Sequence, residues 1–401
     1  MGACLLDSDV CIVGDGAVGK AAALGFSQAG LRVTLLAAAH APVALPLSDW
    51  DVRVFALNHV AQGLLDRLKV WDALDQARVA PVSAMRVMDA GASFAANEGT
   101  LNFDAYSAYV NDLAWIVEDA NLTQALDSAL RFAPNVTRVV GVAKRFELDA
   151  DTATIHLANG DSLRAALVVG ADGAQSWLRG QCDIGLDYRS YQQQGVVSNF
   201  ACEKPHHGVA YQWFLEGLGA IALLPLPGNR VSLVWSAPDD LATELMSETL
   251  VRLAERLAVV AQPVLGELTP IVPHVIKAFP LRFMRPHSMI APRVALVGDA
   301  AHVVHPLAGH GMNLGFADVN ALLACVTERE AHRDCGDARV LRRFQRARRE
   351  EVALMQMATD GLFRLFASDL PAVRLVRSLG LNLLDRLPLL KRKLIAQALG
   401  R

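Results

Sequence analysis

The sequence predicts an α/β fold: a discontinuous dinucleotide-binding unit, an inserted β-sheet domain and a helical C-terminal tail. Three observations carry this. Gly14-Asp-Gly16-Ala-Val-Gly19 stands between two apolar stretches, Asp9–Val13 and Leu31–Leu36, with a helical run, Lys20–Gln28, after it. This is a strand, a glycine turn, a helix and a strand, the context in which GxGxxG binds a dinucleotide. Far along the chain, Val294–Val297 reads as a buried strand ending in Gly298-Asp299, with Pro306 and glycines 309, 311 and 315 beyond it. Between them, Gly195–Ala237 is β-rich and broken by Glu216-Gly217 and Pro227-Gly228-Asn229, which are hairpin signals.

Bulk properties agree. A chain of 401 residues has room for two domains and a large core. With 53% hydrophobic and 20% charged residues it is globular. Its 38 basic and 41 acidic residues give −3, which offers nucleic acid no electrostatic footprint. A mean hydropathy of +0.27 leaves room for a greasy substrate surface. The six cysteines, Cys4, Cys11, Cys182, Cys202, Cys325 and Cys335, are scattered without zinc spacing, and read as reduced cytosolic thiols. The start, MGACLLDSDVC, lacks the basic and apolar regions of a signal peptide. Gly2 hints at myristoylation, but Leu6 stands where that motif wants Ser or Thr. No run reaches the roughly eighteen apolar residues that span a bilayer. A cytoplasmic protein is expected, with any membrane contact peripheral.

Taken in order, Gly14 supplies the turn, Gly16 lets the backbone approach a pyrophosphate, and Gly19 lets helix and strand pack. Gly30 ends the helix. The second strand is expected to close on an acid that holds ribose hydroxyls; Ala37 stands there instead. Losing a charged hydrogen bond costs about 1.5–3 kcal/mol, or roughly ten- to a hundredfold in affinity. Weakened cofactor binding is therefore expected, with His40 or a backbone group as substitute. Ala41–Leu47, with Pro42 and Pro46, reads as a loop. Asp51–Leu57 is a short strand carrying Arg53, and Val60–Leu68 an amphipathic helix. Val79–Asp104 has no helical period and reads as strands of the inserted domain. Trp115–Glu118 leads into a helix, Leu122–Leu130, that carries Gln124. Val136–Val142 and Ala143–Leu157 read as paired strands, and the apolar Leu167–Val169 ends in Gly170-Ala-Asp172-Gly173. Leu241–Val260 reads as one amphipathic helix and Ala278–Phe283 as a further strand. Arg329–Glu351 reads as a solvated helix pair. The tail at 379–399 joins an apolar face to Lys391, Arg392 and Lys393. That suits a membrane surface or a partner groove, and equally a helix packed on the fold.

The block VALVGDAAHVVHPLAGHGMNLGF, Val294–Phe316, resembles the second FAD motif of the ubiquinone-biosynthesis hydroxylase family, which are FAD-dependent aromatic monooxygenases. The order GxGxxG, then Asp172-Gly173, then Gly298-Asp299 is similar too, as are the segments around Arg53, around Trp115–Glu118 and QWFLEGLGAIALLPLPGNRVSLVWS. The resemblance covers nearly the whole chain. It implies a p-hydroxybenzoate-hydroxylase-like fold: a Rossmann-like FAD-binding domain at 1–78, 104–180 and 287–330, a substrate domain at 79–103 and 181–286, and C-terminal helices at 331–401. It implies FAD held by Gly14, Gly16, Gly19, Arg53, Gln124, Asp172, Gly173, Gly298, Asp299, Pro306, Gly309, Gly311, Met312 and Asn313. The ring would lie over Pro306–Asn313, and Arg179 would begin the crossing to the substrate domain.

The activity implied is hydroxylation of the ring of a polyprenylated phenol in ubiquinone biosynthesis. NADPH or NADH is the implied co-substrate, molecular oxygen the oxidant and a flavin C4a-hydroperoxide the hydroxylating species. Other quinone-biosynthesis proteins are implied partners, and the basic apolar tail would lie against the inner membrane. No acid–base dyad or triad is legible. His302 and His305 match residue types common in the family and read as structural. His310 stands where the family usually has Gln; its imidazole is a candidate donor to flavin or substrate, weighed against plain tolerance of substitution. Two rivals stay open: a flavin reductase or dehydrogenase of the same fold, such as a prenyl reductase, and a weak-FAD scaffold subunit of a quinone-biosynthesis complex.

Overall fold

The computed structural model describes residues 5–37, 49–91, 99–272, 274–305 and 309–366. The loop Ala41–Leu47, His40, Pro306, the side chain of His310 and the basic tail at 379–399 lie outside the described residues.

The first sheet has eight strands: β1 (Leu5–Val13), β2 (Val33–Ala37), β8 (Val136–Val140), β9 (Ala143–Leu148), β10 (Ala153–Leu157), β11 (Ser162–Gly170), β18 (Ile290–Ala291) and β19 (Val294–Leu296). Its order is β18-β19-β11-β1-β2-β8, with β10 and β9 continuing from β11. The β19-β11-β1-β2-β8 run is parallel. Every residue of β2, and Val10–Val13 of β1, is buried. Strands covered on both faces need such unbroken apolar runs. The pairing of Val136–Val142 with Ala143–Leu157 does not occur. β8 instead joins β2 in parallel, while β9 and β10 pair with each other. Both arrangements suit alternating strands; periodicity alone does not choose a partner.

The second sheet holds β5 (Ala84–Gly91), β6 (Gly99–Asp104), β12 (Leu186–Cys202), β13 (Val209–Leu215), β14 (Gly219–Leu226), β15 (Arg230–Pro238), β16 (Leu268–Pro270) and β17 (Lys277–Pro286). The two hairpin turns fall at 216–218 and 227–229, between β13, β14 and β15. A small third sheet, β3 (Val54–Leu57), β7 (Ala114–Glu118) and β4 (Val79–Val82), pairs with neither but packs on the second through Val82, Ile116, Ala210 and Leu226. So β4 is not a strand of the second sheet, although β5 and β6 are. Leu241–Val260 divides into α5 (Asp239–Ser247) and α6 (Leu250–Leu265). The break falls where Thr249 accepts a hydrogen bond from the Arg252 N–H, a new N-cap inside a continuous apolar stripe.

On the first sheet pack α1 (Ala17–Gln28), α3 (Asp119–Arg131) and α7 (His310–Thr327), joined by α2 (His59–Arg67) and the short α4 (Trp177–Gln181). The last described element is α8 (Ala338–Phe366), 29 residues long. The charged stretch before it is not a solvated helix pair. Residues 328–337 are turns, one helix follows, and Arg348 within it is buried. No helix among the described residues is long and apolar enough to cross a membrane.

Candidate functional site

The glycine turn joins β1 to α1. Gly14 has φ +107°, and its N–H donates to the Leu36 carbonyl at 3.0 Å, tying the turn to the end of β2. A Cβ there would lie 2.4 Å from the Ala171 carbonyl oxygen, and one at Gly19 would lie 2.0 Å from the Gly14 oxygen. Both positions exclude any side chain. A Cβ at Gly16 would meet no protein atom within 4 Å, so the turn is open on that side. α1 starts there without a side-chain cap and without an acid in its first turn. Its free N–H groups and dipole therefore face open space, ready for an anion.

The second turn lies against the first. A Cβ on Gly315 of α7 would stand 2.8 Å from Val18 of α1 and 3.2 Å from the Gly298 Cα. Gly298 takes φ +61°. Asp299, beside it, is exposed to solvent yet crowded by protein, as on the wall of a cleft. That crowding raises its pKa, against the pull of His302 and Arg53. Arg53, on the approach to β3, is 64% exposed and stands 3.5 Å from Asp119. Burial raises the Asp119 pKa as well, with Arg53 opposing and Asp51 adding. Asp51 braces this corner: it accepts from the N–H groups of Arg53 (3.0 Å) and Ala120 (3.2 Å).

Beneath the second turn is a buried ionic hub. Asp318 on α7 is fully buried and accepts from the Gly298 N–H (2.9 Å), from His302 Nε2 (2.6 Å) and from Arg348 Nε (2.7 Å). Burial pushes its pKa up, but His302 and Arg348 outweigh this and hold it below the usual carboxylate value. Arg179 links the two later turns, donating to the carbonyls of Ala300 (2.9 Å) and Ala174 (2.8 Å).

His305 packs on the second sheet. Its ring meets Tyr191 edge-on at 4.7 Å, and its Nε2 is 3.2 Å from Gln193 Oε1. Burial lowers its pKa to about 4, Asp360 opposing. Tyr191 and Gln193 reach it from an irregularity in β12, where Gln192 takes φ +54°. Asp360, on α8, pairs with Arg189 of β12.

Gly14, Gly16, Gly19, Arg53, Gly298 and Asp299 thus converge on one cleft. Gly309 also belongs to it: with φ +62° it caps α7, and a Cβ on it would lie 3.2 Å from the Ala56 Cβ. Gly173 (φ +79°) and Gly311 each face open space. Met312 packs against the core of the first sheet. Asn313 and Asp172 also contact the protein itself. The Asn313 side chain accepts from the Asn58 N–H (2.9 Å) and donates to the Ala56 carbonyl (2.8 Å), so it shapes the loop from within. Asp172 lies against the glycine turn, its Cα 2.9 Å from where a Cβ on Gly14 would stand; its Oδ2 accepts from the Leu178 N–H of α4 (3.0 Å), while its buried Oδ1 takes no hydrogen bond among the described residues. Gln124 stands exposed on α3, one turn before Asp127. Asp318 and Arg348 were not anticipated. Asp318 had a signal, an acid inside the apolar run LGFADVNALLACV; Arg348, one of many arginines in its stretch, had none.

The cleft fits FAD. An open, uncapped helix start suits a pyrophosphate, and an exposed acid at the second turn suits a polyol. Comparison with known proteins agrees. The family described as "FAD binding domain" matches residues 7–355. The chain is 34% identical to the 3-demethoxyubiquinol 3-hydroxylase of Escherichia coli (strain K12) over 395 residues, 98% of each chain. It is also 34% identical to the ubiquinone hydroxylase UbiL of Rhodospirillum rubrum over 397 residues, 98% of this chain and 90% of that one. Among solved structures, p-nitrophenol 4-monooxygenase PnpA from Pseudomonas putida superposes with a TM-score of 0.78 at 20% identity, covering 99% of this chain and 98% of that one; this likeness concerns the fold.

Proposed function

Because the chain belongs to the ubiquinone hydroxylase family of FAD-binding monooxygenases, we propose that it hydroxylates the aromatic ring of a polyprenylated phenol in ubiquinone biosynthesis. NADPH or NADH is the proposed electron donor, and molecular oxygen the source of the hydroxyl. The observation that supports this reading most is the contact between the α1 start and the Gly298-Asp299 turn through Val18 and Gly315. It makes one continuous cleft from two turns far apart in the chain.

Bound FAD supplies the redox and oxygen chemistry; the side chains bind, orient and exclude water. In this reading the α1 start holds the pyrophosphate, and Asp299 accepts from the ribityl hydroxyls. Arg53 places positive charge above that acid. Neutral His305, with Tyr191 and Gln193, forms the wall between the cofactor cleft and the second sheet. The second sheet's face away from α5 and α6, with Phe214 and Ala220 beside Val87 and Leu101, is the proposed neighbour of the greasy substrate.

The test is purification of the protein with its flavin, followed by turnover in ¹⁸O-labelled oxygen with a polyprenyl phenol and NADPH or NADH. One labelled oxygen atom in the product ring is expected. Oxidation of the nucleotide with reduced substrate and no ring oxygen would replace this reading by the reductase. A protein that takes up no FAD would replace it by the scaffold.

A further inference from the structure

β2 ends in Ala37, a buried methyl with nothing to offer a ribose. The residues around that strand end are not neutral. Arg138 of β8 is in register with Leu35 of β2, and β2 lies between β8 and β1. Arg138 Nη2 nevertheless reaches Asp15, in the glycine turn after β1, at 2.8 Å. Its guanidinium therefore crosses the carboxyl end of β2. In open α/β sheets, ligands sit outside the carboxyl ends of the strands.

Two features separate this pair from ordinary structural charge. The buried cation nearby, Lys20, already has its own partner in Asp127 at 2.8 Å, with Arg138 at 3.7 Å from the other Asp127 oxygen. The core does not need Asp15. Half-exposed Arg138 and partly exposed Asp15 form a pair of the kind that contributes at most about 1 kcal/mol to stability. Stability is thus a weak reason for an acid here. Geometry is a better one. Asp15 Oδ2 faces Arg138, while Oδ1 takes no hydrogen bond among the described residues, and the adjoining Gly16 is open. The Gly14 N–H bonded to Leu36 brings Asp15 beside the strand end. An ionised carboxylate is an acceptor only, suited to sugar hydroxyls.

We propose that Asp15, held in place by Arg138, accepts the hydrogen bonds of the adenosine ribose hydroxyls of FAD, the task that Ala37 leaves unfilled. Asp15 is the binding residue and Arg138 a positioning residue. The proposal rests on the reading of the chain as a FAD enzyme.

The experiment titrates apoprotein with FAD and with an FAD analogue whose adenosine is 2′,3′-dideoxyadenosine, following flavin fluorescence. Wild type is expected to bind FAD roughly ten- to a hundredfold more tightly than the analogue. Asp15→Ala is expected to bring FAD down to the analogue's affinity while leaving the analogue unchanged. Arg138→Met should narrow the gap and Arg138→Lys restore most of it. A gap as wide in Asp15→Ala and Asp15→Asn as in wild type overturns the assignment alone. Equal losses of FAD and analogue in these variants also overturn it, since they point to damage of the turn. Wild-type protein that binds neither ligand overturns the proposed function along with it.

Discussion

Asp318 on α7 and Arg348 on α8, 30 residues apart, form a fully buried charge pair at 2.7 Å directly beneath the Gly298-Asp299 turn. Removing one partner of such a pair costs about 3–5 kcal/mol, and here the low end applies, because His302 and the Gly298 N–H stay on Asp318. Arg348→Met is therefore expected to lower the urea unfolding free energy by that order. The double variant Asp318→Asn/Arg348→Met should recover part of the loss, because neither charge is stranded. The Asp318 carboxyl is held below its ordinary value of 3.8. Its contribution is present above that pH and fades as pH falls below it, so the wild-type advantage should shrink only in strong acid.

Gly16 and Gly19 separate binding from folding. A methyl at Gly19 would collide with the Gly14 oxygen at 2.0 Å, whereas one at Gly16 meets no protein atom. Gly19→Ala should destabilise the apoprotein. Gly16→Ala should leave apoprotein melting unchanged and weaken FAD, because the methyl occupies the ligand's side of the turn. Thermal melts beside fluorescence titrations read both; equal FAD affinity in Gly16→Ala would contradict the placement of the pyrophosphate.

Asp299 is proposed to hold the ribityl chain. Asp299→Ala is expected to reduce FAD affinity by roughly ten- to a hundredfold. The apoprotein should not suffer, since crowding already disfavours this carboxylate. Arg53→Ala removes a cation that steadies it and should raise the Asp299 pKa further. Wild type and Arg53→Ala titrated for FAD between pH 4 and 7 would show the variant losing affinity at the higher pH.

His305 gives a pH signature of its own. Its pKa is lowered by burial from 6.5 to about 4. The unfolded chain therefore binds the proton more readily than the folded one across this window, and stability rises with pH through it. The contribution is complete above pH 6.5 and is lost as pH falls toward 4, about 3 kcal/mol in all. Urea midpoints of wild type minus His305→Gln should show that slope between pH 4 and 6.5. A flat difference would mean that the ring is open to water.

How legible all this was in the sequence varied by residue. Gly14 and Gly19 were legible because the turn leaves no room for a side chain, Gly16 because it completes their spacing, and unbroken apolar runs exposed β1, β2 and β19. Arg53, Gly298 and Asp299 were legible through motif order. The hydrogen bonds that Asn313 makes to Asn58 and Ala56 were not legible, since side-chain direction is not encoded in spacing. The break between α5 and α6 hid in a continuous apolar stripe, since one threonine cap outweighs periodicity there. Arg348 looked like every other arginine around it. Only the fold brings Asp318 to it.

α8 carries more than the hub. From Arg348 at Asp318 of α7, which packs on the first sheet, through Gln356 Nε2 on the Met284 carbonyl (3.0 Å), to Asp360 on Arg189 of the second sheet, it ties the two layers together. Twelve residues of helix make a rod of about 18 Å. So fastened, the rod keeps the two sheets from rocking far against each other. The substrate proposed above would then enter past a fixed frame, and any opening that admits it would come from the loops at the rim.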